Sequence, residues 1–271
     1  MIPAAFDYAR PETVEEAIGL LGEHGEDAKL LAGGHSLLPL MKLRFASPTV
    51  LVDIGRLTDL SYVRVDGDEL AVGALTRYCD LVSSDVVTAE APLLGYTASL
   101  VGDPQVRHRG TVGGTLAHGD PASDLPAAVL ALGGTLIAQG PGGRRTIDVG
   151  EFFRGFFETA LEPDELLVEI RLPRTGGQPW AYQKFVRRSN DWAIVGSATV
   201  DGRVALVNMG QTPLRATAVE AALASGASIK DAAALAADGT APAADMHATE
   251  EFRRHLARLL TRRALTTAAE R

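Results

Sequence analysis

The chain has 271 residues, 46% hydrophobic and 22% charged, with a formal net charge of −8; that is enough for one large domain or two smaller ones with buried cores, and it excludes wholesale disorder. Acidic and basic residues are interspersed, so no basic face dense enough to follow a phosphate backbone is expected, and nucleic-acid binding is disfavoured. No apolar run approaches the roughly 20 residues that span a bilayer, and residues 1–10 lack the apolar core of a signal peptide, so a cytoplasmic protein with no transmembrane segment is expected.

Thr13 followed by Glu16 reads as a capping box, and Val14, Ala17, Ile18 and Leu21 share one face of the helix it starts, which Gly25 stops. Residues 29–32 form a short apolar strand, Gly33-Gly34 turns the chain, a helix covers residues 36–43, and residues 49–54 form a second buried strand. Residues 62–65 and 69–72 flank Asp66-Gly67-Asp68 as a hairpin, and residues 93–101 have helical spacing. A second hairpin joins residues 135–138 to 145–149 across Gly140-Pro141-Gly142-Gly143, and residues 167–172 form a closing strand. The polar stretch Pro173, Thr175, Gly176, Gly177 and Pro179 marks a domain boundary. Beyond it, strands at 193–200 and 203–209 are joined by Asp201-Gly202, and Ala-rich helices follow. The last helix, around residues 250–265, carries Arg253, Arg254, Arg258, Arg262 and Arg263 and reads as a solvated or subunit-facing surface.

Cys79 is the single cysteine. The chain therefore cannot make an internal disulfide, a thiolate zinc cage or an iron–sulfur cluster that needs four thiolates. Two glycine-rich turns stand out instead, Ala32-Gly33-Gly34-His35-Ser36 after a strand and Gly110-Thr111-Val112-Gly113-Gly114-Thr115 after a polar segment. Paired glycines let backbone N–H groups converge on one concavity that suits a pyrophosphate, with a helix start near Ser36 to balance its charge. Neither turn fits the dinucleotide or P-loop fingerprints, so those sites are not expected.

Three segments carry a resemblance: Lys29-Leu-Leu-Ala-Gly-Gly-His-Ser-Leu-Leu-Pro-Leu-Met-Lys-Leu-Arg44, Gly102-Asp-Pro-Gln-Val-Arg-His-Arg-Gly-Thr-Val-Gly-Gly114, and His118-Gly-Asp-Pro-Ala-Ser-Asp-Leu-Pro126. In order and separation they closely resemble the medium, FAD-binding subunits of aerobic carbon monoxide dehydrogenase and its relatives in the xanthine dehydrogenase family of molybdenum hydroxylases. The resemblance implies an α+β chain: an FAD-binding fold of the vanillyl-alcohol oxidase and p-cresol methylhydroxylase type over residues 1–174, with subdomains at about 1–55 and 56–174. A C-terminal domain of the carbon monoxide dehydrogenase flavoprotein type, a small antiparallel sheet with helices, would occupy 175–271.

The resemblance also places Ala32, Gly33, Gly34, His35 and Ser36 around the pyrophosphate of a non-covalent FAD, joined by Thr111, Gly114 and Thr115. It puts Asp124 on the ribose or a nearby polar group, Lys29, Leu37, Val101, Leu167 and Lys184 along the cofactor, and Trp192 by the isoalloxazine ring. From the residues alone, Asp124 could instead cap Leu125-Pro126, Lys184 could be a surface lysine, and Trp192 could be ordinary core. Thr115, Gly119 and His108 depart from the residues common in relatives, which bears on tuning of the flavin. No metal ligand and no catalytic side chain is expected on this chain. Its implied partners are a large subunit with molybdopterin and a small subunit with 2Fe–2S clusters, as a multimer of heterotrimers, with this chain passing electrons from the clusters through FAD to an acceptor. The alternative is a stand-alone flavin oxidase of the same fold family, for which no proton-accepting residue is nominated.

Overall fold

The computed structural model describes residues 2–271. The first unit contains β1 (Asp7–Ala9), α1 (Val14–His24), β2 (Ala28–Leu31), α2 (Leu37–Leu43) and β3 (Val50–Asp53), with the strands in a parallel sheet of order β1-β3-β2. Helix α1 starts as expected: the Thr13 hydroxyl accepts from the Glu16 amide at 3.1 Å, and the Glu16 carboxylate accepts from the Glu12 amide at 2.7 Å. Ala17, Ile18 and Leu21 of α1 are buried in one cluster with Ala28, Val50 and Val52 of the sheet.

The second unit runs through β4 (Val63–Asp66), β5 (Glu69–Gly73), α3 (Tyr78–Ser83), α4 (Asp85–Glu90), α5 (Pro92–Ser99), α6 (Pro104–Arg107), α7 (Val112–His118), α8 (Asp124–Leu132), β6 (Thr135–Gly140), β7 (Gly143–Asp148), α9 (Val149–Phe152), β8 (Phe153–Gly155), β9 (Glu158–Thr159) and β10 (Leu166–Pro173). Both expected hairpins form, and β10 closes an antiparallel sheet of order β4-β5-β10-β6-β7. A register shift between Leu167 and Glu169 changes which face the strand presents. Leu166 and Val168 consequently join the cluster of the first unit, whereas Leu167, Ile170 and Leu172 join the main core. That one strand ties the two units together.

The third unit has β11 (Trp180–Phe185), β12 (Val195–Val200), β13 (Arg203–Val207), β14 (Leu214–Arg215), α10 (Thr217–Ala224), α11 (Ile229–Ala234) and α12 (Glu250–Ala269), with its strands antiparallel in that order. Its sheet is covered on both faces. Val195, Val204 and Leu206 belong to a cluster shared with α10, α11 and α12, while Ala198, Val200, Ala205 and Val207 belong to the main core with α5 and α8. Helix α8 is buried along its whole length, between the five-stranded sheet and this one, which explains why its sequence from Leu125 to Leu132 is apolar all round. The core therefore runs without a break across the polar stretch at 174–179.

One expectation fails on α12. Arg253 is not on a solvated surface: it is 2% exposed, its guanidinium donates to the Ile194 carbonyl at 2.5 Å and to Asp245 at 2.6 Å, and it ties the helix to the segment that enters β12. Its long apolar stem fills core space while its two terminal nitrogens find partners and its Nε finds none among the described residues, a combination that periodicity of charge does not reveal. Replacing Arg253 with alanine is expected to lower stability by about 1–3 kcal/mol, the cost of stripping a buried acceptor of its donor. Chemical denaturation of the variant measures this. Among the described residues, no helix is long and apolar enough to cross a membrane.

Candidate functional site

Strand β2 ends at Leu31, and the next five residues turn the chain into α2. Gly33 packs so tightly on the backbone of Arg109 that a β-carbon there would lie far inside contact with the Arg109 carbonyl, and Gly34 adopts φ +78°, a left-handed conformation that side chains disfavour. These two glycines bring the first loop against the segment leading into α7. The Leu38 amide donates to the Gly34 carbonyl at 3.1 Å and starts the helix. The amides of Gly33, Gly34, His35, Ser36 and Leu37 donate to no acceptor among the described residues. The Ser36 hydroxyl does not cap α2, so it too is left to other use.

These residues form one wall of a cleft of about 400 Å³, a size typical of sites for small molecules and cofactors. The facing wall is the start of α7, where the Thr111 hydroxyl accepts from the Gly114 amide at 3.2 Å. Contrary to the expectation from sequence, the amides of this second loop are already engaged. The Val112 and Gly113 amides donate to the Thr76 and Ala74 carbonyls at 3.0 and 2.8 Å, and Thr115 donates to Thr111 at 3.1 Å. The second loop is thus not a nest of free donors; its glycines serve packing on the segment after β5, and its contribution to the cleft is surface and the Thr111 and Thr115 hydroxyls. Tyr78 lies between the walls, its amide donating to the Gly110 carbonyl at 3.1 Å. Burial pushes its phenol up to about 12, so the hydroxyl stays neutral. Further lining comes from Leu161, Pro163, Leu166 and Leu167, from Glu162 and Glu165, and from His118, whose pKa is lowered by burial.

Of the residues expected from sequence, Lys29, Ala32, Gly33, Gly34, His35, Ser36, Leu37, Thr111, Gly114, Thr115 and Leu167 line this one cleft. Val101, Asp124, Lys184 and Trp192 do not. Three of these four gather beside it. The Lys184 ammonium donates to the Leu100 carbonyl at 2.8 Å and to Asp124 at 3.1 Å, and the Tyr182 hydroxyl donates to the other oxygen of Asp124. Val101 is the next residue after that carbonyl. Asp124 does not cap its helix, and Lys184 is not a surface lysine, its side chain being 8% exposed. Burial raises the pKa of Asp124, with the Lys184 charge opposing the shift, and the Asp124 charge reaches Tyr78 in the cleft wall. Trp192 is 57% exposed, on the loop between β11 and β12, and is not core.

Sequence reasoning missed Tyr78, His118 and the segment from Thr159 to Leu166. Tyr78 is placed by an isolated bridge between Arg77 and Thr111, a pairing across more than thirty residues without a local pattern. His118 stood in a quoted motif but without a role. It ends α7 and packs against the Phe157 ring at 4.8 Å.

Residues 4–175 match the family of FAD binding domains in molybdopterin dehydrogenases, and residues 180–268 match the C-terminal domain of CO dehydrogenase flavoproteins. The chain belongs to this flavoprotein family. It is 44% identical to the carbon monoxide dehydrogenase medium chain of Hydrogenophaga pseudoflava, over 99% of this chain and 98% of that one. It is 39% identical to the corresponding medium chain of Afipia carboxidovorans, over 100% and 99% of the two. A solved structure of carbon monoxide dehydrogenase from Hydrogenophaga pseudoflava, lacking the Mo-pyranopterin moiety of the molybdenum cofactor, superposes with a TM-score of 0.97 at 45% identity, covering 100% of this chain and 99% of that one. The cofactor of the family is FAD, and the cleft fits it: unclaimed amides around Gly33 and Gly34 suit a diphosphate, and aliphatic walls suit ring systems.

Proposed function

We propose that this chain is the electron-transfer flavoprotein subunit of a molybdenum hydroxylase complex of the carbon monoxide dehydrogenase type. FAD is held non-covalently, with the amides from Gly33 to Leu37 on its diphosphate, Thr111, Gly114 and Thr115 facing them, and Lys29, Ala32 and Leu167 along its length. Asp124 lies on the ribose or a nearby polar group, Val101 and Lys184 lie along the cofactor, and Trp192 lies by the isoalloxazine ring; the buried contacts of Tyr182 and Lys184 with Asp124, whose charge reaches Tyr78 in the cleft wall, support the first two. The single observation that carries the reading is the run of unclaimed amides in a cleft whose close packing admits no side chain at Gly33.

When bound, FAD accepts electrons and passes them to an acceptor, while the protein supplies position and electrostatics. The chain's own part is to hold the diphosphate, keep Tyr78 and His118 neutral in the wall, and place one charge pair, Lys184 with Asp124, near the ring. In the complex, 2Fe–2S clusters on a small partner subunit would supply the electrons, and a molybdenum centre on a large one would be their source. Cys79 is the chain's single cysteine, too few thiolates for a cluster of its own, and this supports that division. Assembly as a multimer of heterotrimers in the cytoplasm completes the proposal.

The purified chain is expected to be yellow and to release one FAD per chain on denaturation, read from its visible spectrum and from the released flavin. Alone it should not be reduced by carbon monoxide, purines or aldehydes, yet it should be reduced by an artificial donor. Adding the molybdenum and 2Fe–2S chains should restore substrate-dependent reduction of an acceptor. Substrate-dependent bleaching of the flavin in the isolated chain would instead establish a stand-alone oxidase.

A further inference from the structure

Three features that the cofactor site does not use coincide along the outer edge of β11. The strand pairs with β12 on one side, and among the described residues no strand of the sheet lies on its other side. Helix α12 packs over β11 and β12, with Ala264 and Ala268 buried against Ala181. Where helix and strand diverge, the surface opens into a shallow groove of about 240 Å³ lined by Gln183, Arg262, Arg263, Thr266 and Thr267. Neither arginine is ion-paired among the described residues. On the same strand, exposed Phe185 meets exposed Phe252 of α12 edge to face at 5.9 Å.

The groove lining holds two guanidinium groups, two hydroxyls and an amide, and no carboxylate, on a chain whose net charge is −8. Guanidinium forks match carboxylates in planarity and donor spacing. An unpaired strand edge presents backbone donors and acceptors to an extended chain, and natural proteins leave such an edge open mainly where something covers it or charge guards it. The aromatic pair adds an apolar shelf at one end. We propose that this groove and the β11 edge dock an extended, acidic segment of a partner subunit, its carboxylates on Arg262 and Arg263 and its backbone beside β11. Charge complementarity selects that occupant: an acidic segment meets two unpaired cations here, whereas a basic one would be repelled.

This inference rests on the subunit reading, and its test keeps the two apart. The full chain is produced together with the molybdenum and 2Fe–2S chains, as wild type, as R262Q/R263Q and as R262E/R263E, and assembly is measured by co-purification and by affinity at low and high salt. Neutralisation is expected to weaken assembly severalfold and charge reversal by about tenfold or more, with wild-type affinity falling as salt rises and the reversed variant losing that dependence. FAD content and thermal unfolding should match wild type in both variants, because the two arginines are exposed and lie outside the cofactor cleft. Failure of the wild-type chain to assemble would overturn the subunit reading itself. Equal assembly of all three forms would overturn the docking proposal alone. Self-association of the isolated wild-type chain that is lost in R262E/R263E would assign the groove to a second copy and overturn the partner assignment.

Discussion

Replacement of Gly33 with valine is expected to abolish FAD retention, giving a colourless protein with affinity reduced at least about a hundredfold. Two effects combine. A β-carbon at this position would run into the Arg109 carbonyl, so the first loop must back away from the segment that leads into α7. That movement shifts the unclaimed amides of Gly33 to Leu37, which have to converge on a single anion to hold it. Losing two charge-assisted hydrogen bonds of about 1.5–3 kcal/mol each is enough for the stated factor. The β-branch adds its own backbone restriction. Gly114→Val is expected to act by another route, since its β-carbon would press on the Thr111 hydroxyl that caps α7; the loss there should be smaller and accompanied by a lower melting temperature. Titration of the two apoproteins with FAD, followed by flavin fluorescence, measures both. Wild-type affinity in Gly33→Val would place the diphosphate elsewhere.

The second large effect is expected at Lys184. Its ammonium and the Asp124 carboxylate are both buried, 3.1 Å apart, so Lys184→Met leaves a buried carboxylate with only the Tyr182 hydroxyl as partner. Breaking one side of such a pair costs about 3–5 kcal/mol. Asp124→Asn combined with Lys184→Met should recover most of that loss, because the uncompensated charge is gone.

The pH dependence has a definite sign. Burial already holds the Asp124 pKa above the usual carboxylate value, so its contribution to stability is fully present below that usual value and is lost as pH rises through the raised one. Removing Lys184 raises it further. The gap in stability between wild type and Lys184→Met should therefore be widest at neutral pH and narrow on acidification, as protonation discharges Asp124. Urea denaturation across that range decides it; a gap that does not change with pH would mean that Asp124 is not the group left stranded.

Much of the fold was legible from local signals. The capping box of α1, both glycine hairpins and the Asp201-Gly202 turn depend on residues within a few positions of each other, and each forms as read. The first glycine loop was legible for the same reason. What escaped depends on distant partners. Strand β11 alternates Trp180, Tyr182 and Lys184 with Ala181 and Gln183, and nothing nearby says that a lysine in such a run is buried; its carboxylate lies 60 positions earlier in the chain. Arg253 looked like its arginine neighbours on α12, because the Ile194 carbonyl that it satisfies is remote in sequence. The second glycine loop looked like the first, and only the Thr76 and Ala74 carbonyls, which claim its amides, tell them apart.

The helix Asp124–Leu132 has a consequence for synthesis. One of its sides is covered by the five-stranded sheet and another by the strands that end at Val207. As the chain leaves the ribosome, that second side stays bare until the later strands have emerged, although residues before it could already have collapsed. A helix apolar on every side from Leu125 to Leu132 and exposed during that interval is a target for chaperones and for aggregation. Ribosome stalling between residues 175 and 195 should accordingly yield nascent chains that bind a chaperone and resist FAD loading, and stalling after the third sheet is complete should relieve both. Substitutions that thin the apolar side of β12 or β13 would then lower the yield of protein before they alter any property of the cofactor site.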